Sequence, residues 1–125
     1  MAHILVIDDD PVTREVIRLM LEQAGHTVLR CENGKKAIEF IEHEHADLMI
    51  TDVIMPEMDG VETVRAAQRV RPQMPILAIS IGGPTGAADY LGLAKVFGAT
   101  ATLAKPLRPL ALLELVAKLL ADAKH

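Results

Sequence analysis

The chain contains no tryptophan, one tyrosine and two phenylalanines among its 125 residues. That removes the aromatic platforms on which unpaired bases stack. Cysteine occurs once, as Cys31, so no internal disulfide can form, and a reducing cytoplasm is the expected setting. No apolar run reaches the roughly 20 residues of a membrane helix. The first run, Ile4 to Ile7, is also too short for a signal peptide. Basic charge is in deficit as well, and the net charge of -4 speaks against direct nucleic-acid binding.

What remains is the composition of one globular domain. Half the residues are hydrophobic and 24% are charged, so disorder is not expected, and the length suffices for a real core. There is no linker, internal repeat or low-complexity tract.

The pattern alternates between short apolar runs and helical periodicity. Strands are expected at Ile4–Ile7, His26–Cys31, Leu48–Thr51, Ile76–Ile81 and, more weakly, Ala99–Ala104. Asp10-Pro11 reads as a helix start, with Asp10 as N-cap and Pro11 at the first helical position. Val12, Val16, Leu19, Met20 and Ala24 follow at helical spacing, and Gly25 is the stop. Glu32-Asn33-Gly34 turns into a second helix carrying Ala37, Ile38 and Ile41. Further helices are expected over Val61–Val70, from about Ala87 to Phe97, and over Pro109–Ala121. Five strand–helix pairs with apolar strands imply an α/β fold: a doubly wound, five-stranded parallel sheet covered on both faces by five helices. Ligands in such sheets bind beyond the carboxyl ends of the strands.

Those ends are where the chemistry concentrates. Asp8-Asp9-Asp10 closes the first strand and Asp52 the third; Ser80 lies in the fourth and Lys105-Pro106 follows the fifth. Neighbouring parallel strands would bring Asp8, Asp9 and Asp52 together. Carboxylates about 4 Å apart repel by roughly 4 kcal/mol at an effective dielectric near 20, which a divalent cation relieves. Carboxylates plus a cation make a place to receive a phosphoryl group. Other candidates read more plainly. Asp10 is a helix cap, Asp59-Gly60 a turn, and Cys31 an inert thiol. His43 and His45 lack a third ligand at metal-binding spacing. Gly82, Gly83 and Gly86 do not form a phosphate loop, which would need Gly-Lys-Ser/Thr.

In these motifs the chain resembles the receiver domain of bacterial two-component response regulators. The resemblance rests on Ile4-Leu5-Val6-Ile7-Asp8-Asp9-Asp10-Pro11, Asp52 to Gly60, Ser80 and Lys105-Pro106-Leu107, and spans essentially the whole chain. It implies a flavodoxin-like sheet of strand order 2-1-3-4-5. It also implies a phosphorylation-dependent signalling switch rather than an enzyme with turnover, one that catalyses its own phosphorylation and dephosphorylation. Asp52 would be the phosphoacceptor. Mg²⁺ would be held by Asp9, Asp52 and the Ile54 backbone carbonyl, with Asp8 acting mostly through water. Lys105 would pair with Asp52 and then with the phosphoryl group, Ser80 would donate to another phosphoryl oxygen, and the Lys105–Pro106 bond would be cis. The implied phosphodonor is a sensor histidine kinase or a histidine phosphotransfer protein.

The chain would be a single receiver over residues 1–125 without an output domain, or a receiver excised from a larger regulator. Two other readings stand beside this one: a phosphorylation-independent interaction module, and a small aspartyl-phosphate phosphatase or phosphotransferase. The latter class usually carries Asp where this chain has Ile54.

The chain departs from the family at Thr102, where many receivers carry an aromatic switch residue. Switching is therefore expected to rely on the loop of Gly82, Gly83 and Gly86. Ile54 and Gly82 offer no polar side chain to orient water, so a long-lived acyl phosphate is expected. In the last helix, Pro109, Leu110, Leu113, Val116, Ala117 and Leu120 share the arc expected to face the sheet. Leu112, Leu115 and Leu119 form a second stripe, expected to bind a downstream target or a second copy.

Overall fold

The computed structural model describes residues 2–52, 60–81 and 98–123. Five strands, β1 (His3–Ile7), β2 (Thr27–Cys31), β3 (Leu48–Asp52), β4 (Ile76–Ile81) and β5 (Ala101–Lys105), form one parallel sheet in the order β2-β1-β3-β4-β5. The described helices are α1 (Pro11–Gln23), α2 (Gly34–His43), α3 (Gly60–Val70) and α4 (Pro109–Ala123). The helix expected over residues 87–97 lies outside the described residues, as do Ile54 and the Gly82, Gly83 and Gly86 loop.

The strands read as unbroken apolar runs because both faces are covered. Ile4 and Val6 point into a core shared with α1 and α4, while Leu5 and Ile7 point into a core shared with α2 and α3. β3 and β4 divide likewise: Ile50, Leu77 and Ile79 go to the first core, and Met49, Ile76 and Ala78 to the second. The edge strands β2 and β5 are only half-buried, and at β5 this accounts for the weaker sequence signal.

Local signals place the helix ends. Asp10 caps α1, accepting from Val12 N at 3.2 Å and from Thr13 Oγ1 at 2.6 Å. Asn33 caps α2, accepting from Lys36 N at 2.9 Å. Gly25 ends α1 at φ 93°, with its N–H donating 3.0 Å to the Glu22 carbonyl, a left-handed conformation that glycine adopts without strain.

Two helix faces differ from the sequence expectation. In α1 the buried residues are Ile17 and Leu21, whereas Val12, Val16 and Leu19 are exposed. In α4 the sheet-facing row is Leu112, Val116 and Leu119, at i, i+4 and i+7, and Leu110 is 70% exposed. Leu112 and Leu119 are therefore core residues, not a partner surface, and Leu115 beside them is half-buried against the same core. The reason is that both helices carry two apolar stripes. Periodicity finds the stripes, but packing against the assembled sheet sets which one is buried.

Candidate functional site

The strand register builds the site. Ile7 pairs with Thr51 across β1 and β3, so Asp8 and Asp52, each one residue further on, emerge side by side. Asp52 pairs with Ile79 on β4, and Ile81 pairs with Lys105 on β5, which brings the end of β5 to the same edge. Carboxylate oxygens of Asp8, Asp9 and Asp52 lie within 4.8 Å of one another. Asp8 is fully buried, Asp52 is 7% exposed and Asp9 is exposed. At that separation two carboxylates repel by roughly 3–4 kcal/mol at an effective dielectric near 20.

Lys105 answers part of this repulsion. Its Nζ lies 3.0 Å from Asp8 Oδ2 and 3.0 Å from Asp52 Oδ2, so one ammonium bridges both buried acids. Three carboxylates and one ammonium leave the cluster with excess negative charge. Asp8 is further held by the Asp10 N–H, which donates to Oδ1 at 2.9 Å. Both Asp8 oxygens are thus engaged, whereas the Asp9 carboxylate has no hydrogen-bond partner among the described residues. Thr51 Oγ1 donates 2.9 Å to the Asp52 carbonyl, securing the strand end beneath the carboxylate. The Lys105–Pro106 peptide is cis.

Burial lowers the Lys105 pKa, but the hydrogen bonds to Asp8 and Asp52 and their charges more than reverse this, leaving it above the ordinary lysine value. A raised pKa means that the stability from this pair is fully present below the unfolded value, near 10.4, and is lost as pH rises through the folded value. The thermal midpoint of the metal-free protein is therefore expected to fall on the alkaline side of about pH 10. That fall should be smaller in a Lys105→Gln variant; equal alkaline slopes in a melting series would show that the pair contributes nothing.

A cavity of 270 Å³ opens over these groups, lined by Asp8, Asp9, Asp10, Thr13, Asp52, Ser80 and Lys105. Ser80 is fully buried, and its Oγ has no hydrogen-bond partner among the described residues. A buried hydroxyl without a partner costs about 1–3 kcal/mol, so its place beside an acidic cleft points to a ligand oxygen. A larger concavity of 470 Å³ lies at the opposite edge of the sheet, but its one lining carboxylate, Asp47, is engaged by His3 N and His45 Nε2. Among the described residues, the cluster of Asp8, Asp9 and Asp52 is at the smaller cleft.

The structure thus brings Asp8, Asp9, Asp52, Ser80 and Lys105 into one place. It does not bring Thr102 there: that residue sits half-buried in β5, opposite Ala78, and does not line the cavity. Thr13 and Arg14 had no role in the sequence expectation, and Asp10 was expected only as a helix cap. Asp10 and Thr13 line the cleft in addition to their capping bond. Arg14 donates from Nη1 to the Asp8 carbonyl at 2.7 Å, and its only sequence signal is its position six residues after Asp8.

Comparison with known proteins agrees with this geometry. The family model of the response regulator receiver domain matches residues 4–117. A 14.6 kDa uncharacterised protein encoded in the sodA1 3′ region of Leptolyngbya boryana is 37% identical over 113 residues, covering 90% of this chain and 86% of that protein. The transcriptional regulatory protein GlrR of Escherichia coli K12 is 35% identical over 82 residues, 66% of this chain but only 18% of that longer protein. A response regulator receiver domain protein (CheY-like) from Methanospirillum hungatei JF-1 superposes with a TM-score of 0.91 at 26% identity, covering 99% of this chain and 97% of that one. With its strand order, its acidic cleft and a family match over nearly its full length, this chain belongs to the response regulator receiver domain family.

Proposed function

We propose that this chain is a phosphorylation-dependent switch whose Asp52 accepts a phosphoryl group from the phosphohistidine of a sensor kinase or phosphotransfer protein. Receiver domains are signalling domains of two-component systems rather than enzymes with turnover. The observation that carries the reading is the bridging of Asp8 and Asp52 by Lys105 beside the Ser80 hydroxyl, which has no partner among the described residues. In the proposed step an Asp52 carboxylate oxygen attacks phosphorus, the phosphorus–nitrogen bond to the donor imidazole breaks, and the imidazole leaves with that electron pair. The product is an aspartyl phosphate. Little covalent chemistry is asked of the protein; positioning and charge stabilisation do most of the work. Lys105 can follow the charge from the free carboxylate to a phosphoryl oxygen, and Ser80 Oγ supplies a donor to a second one.

The residues fit Mg²⁺. Asp9 and Asp52 offer hard oxygens, and Asp8, with both oxygens already bonded, suits an indirect role through water; the Ile54 carbonyl, which the family resemblance adds as a ligand, lies outside the described residues. When bound, the cation would offset negative charge on the carboxylates and on the incoming phosphoryl group. The Asp9 carboxylate, without a hydrogen-bond partner among the described residues, supports this assignment.

The partner surface is better sought away from the Leu112 and Leu119 row. Val12 (69% exposed) and Leu110 (70% exposed) stand in the first turns of α1 and α4, helices that follow the strand ends forming the cleft, and Val16 and Leu19 continue the exposed apolar row along α1. A donor that reaches Asp52 would cover this apolar surface.

The test is intact mass after treatment with acetyl phosphate, with and without Mg²⁺. One phosphoryl adduct that requires the cation is expected, and no adduct under either condition would overturn the proposal. A Lys105→Ala variant sharpens it. Loss of the competing ammonium should tighten Mg²⁺ binding by roughly tenfold, about 1.4 kcal/mol, and make the melting temperature more Mg²⁺-dependent. Phosphorylation should persist in part, while the conformational response, followed by amide exchange, is lost. A full response in that variant would remove Lys105 from its reporting role.

A further inference from the structure

Arg14 is tied to the acidic cleft through the backbone, in a way that neither the capping of α1 nor the chemistry at Asp52 requires. Its Nη1 donates 2.7 Å to the carbonyl oxygen of Asp8. That carbonyl belongs to the peptide bond joining Asp8 to Asp9, the two neighbouring carboxylates of the cation site. The ladder there is running out: the Asp8 N–H reaches the Cys31 carbonyl only at 3.4 Å, and β1 ends at Ile7. Without Arg14, no described group holds the plane of this peptide from its oxygen side. The rest of the corner closes a ring. Asp10 N donates to Asp8 Oδ1 at 2.9 Å, Arg14 N donates to the Asp10 carbonyl at 3.1 Å, and the Arg14 side chain returns to the Asp8 carbonyl.

Arg14 is half-buried, and the nearby acids are occupied by other bases. Glu15 is paired with Arg18 and Arg30, and Glu32 with Lys36. The guanidinium therefore bonds a carbonyl rather than a carboxylate. A planar fork suits that task, because its donors keep a fixed geometry.

We infer that Arg14 is a positioning residue for the cation site: it fixes the Asp8–Asp9 peptide and so sets the direction from which Asp9 approaches. The inference rests on the proposed reading of Asp8, Asp9 and Asp52 as the Mg²⁺ site. It has a consequence of definite sign. Arg14 carries positive charge close to a cation site, so if it acted only through its charge, removing it would tighten Mg²⁺ binding. If it acts by positioning, removing it weakens binding, as the loss of groups that orient ligands commonly does by 10- to 100-fold.

The experiment compares the parent with Arg14→Met and Arg14→Gln. Mg²⁺ is titrated and followed through the amide signals of Asp8, Asp9 and Asp10, since the chain has no tryptophan to report. Melting curves without Mg²⁺ confirm that each variant is folded at the titration temperature. Both variants are expected to need about tenfold more Mg²⁺ for half-saturation. With acetyl phosphate, the Mg²⁺ needed for half the maximal phosphorylation rate should rise by the same factor, while the rate at saturating Mg²⁺ stays within about twofold. Affinity equal to or tighter than the parent's, in whichever variant folds, overturns the inference. So does a lower rate at saturating Mg²⁺ with an unchanged Mg²⁺ requirement. A parent that does not bind Mg²⁺ at all would instead refute the cation-site reading, which separates the two failures.

Discussion

Replacing Asp52 by asparagine is expected to abolish phosphoryl uptake from acetyl phosphate and from any histidine donor. The amide has nearly the shape of the carboxylate but is a far weaker nucleophile and cannot yield the acyl phosphate. The fold should survive, because Asp52 is bonded to Lys105 at the edge of the sheet rather than packed in either apolar core. The substitution also removes one negative charge from a cluster in excess of it, so Mg²⁺ affinity should fall in the same variant. Intact mass and Mg²⁺ titration read the two effects separately. Undiminished labelling of the Asp52→Asn protein would place the acceptor elsewhere, with Asp9 the first residue to examine.

The second large effect concerns stability and decides which stripe of α4 is the core. Leu112 is fully buried between α4 and the sheet, so Leu112→Ala should cost about 2–5 kcal/mol, the range for deleting a buried leucine side chain. Leu110 is 70% exposed, and Leu110→Ala should stay within about 0.5 kcal/mol. Denaturant unfolding followed by far-ultraviolet circular dichroism measures both. Equal losses, or a larger loss at Leu110, would restore the helix phase expected from periodicity and reopen the Leu112 and Leu119 row as a binding surface.

The contrast between these two leucines marks what a linear pattern can carry. Along α4, Leu110, Leu112, Leu113, Leu115, Leu119 and Leu120 all satisfy some apolar stripe. With Glu114, Lys118 and Asp122 as the main polar markers, hydropathy constrains the rotation of the helix weakly. α1 shows the same ambiguity, with Val12, Val16 and Leu19 turned to solvent and Ile17 and Leu21 inward. In both helices the rotation is chosen by packing against strands far away in sequence.

The strands were legible for the opposite reason. Ile4–Ile7, Leu48–Thr51 and Ile76–Ser80 are buried, so every position must be apolar or small and the run itself is the signal. The caps were legible at Asp10 and Gly25 because a capping oxygen and a left-handed backbone are local demands that few residue types meet.

Asp8, Asp9, Asp52, Ser80 and Lys105 were nameable from the chain alone because each lies at or near the end of a strand, and parallel strands deliver their ends to one edge. Their relations were not. That one ammonium sits 3.0 Å from both Asp8 and Asp52, that Ser80 Oγ is buried without a partner among the described residues, and that Arg14 holds the peptide between two acids depend on register and on side-chain packing. Residue type and local order suffice where a requirement is met within a few neighbours, as in a cap, a turn or a doubly buried strand. Where it is met by groups 97 residues apart, as between Lys105 and Asp8, it exists only once the sheet has formed.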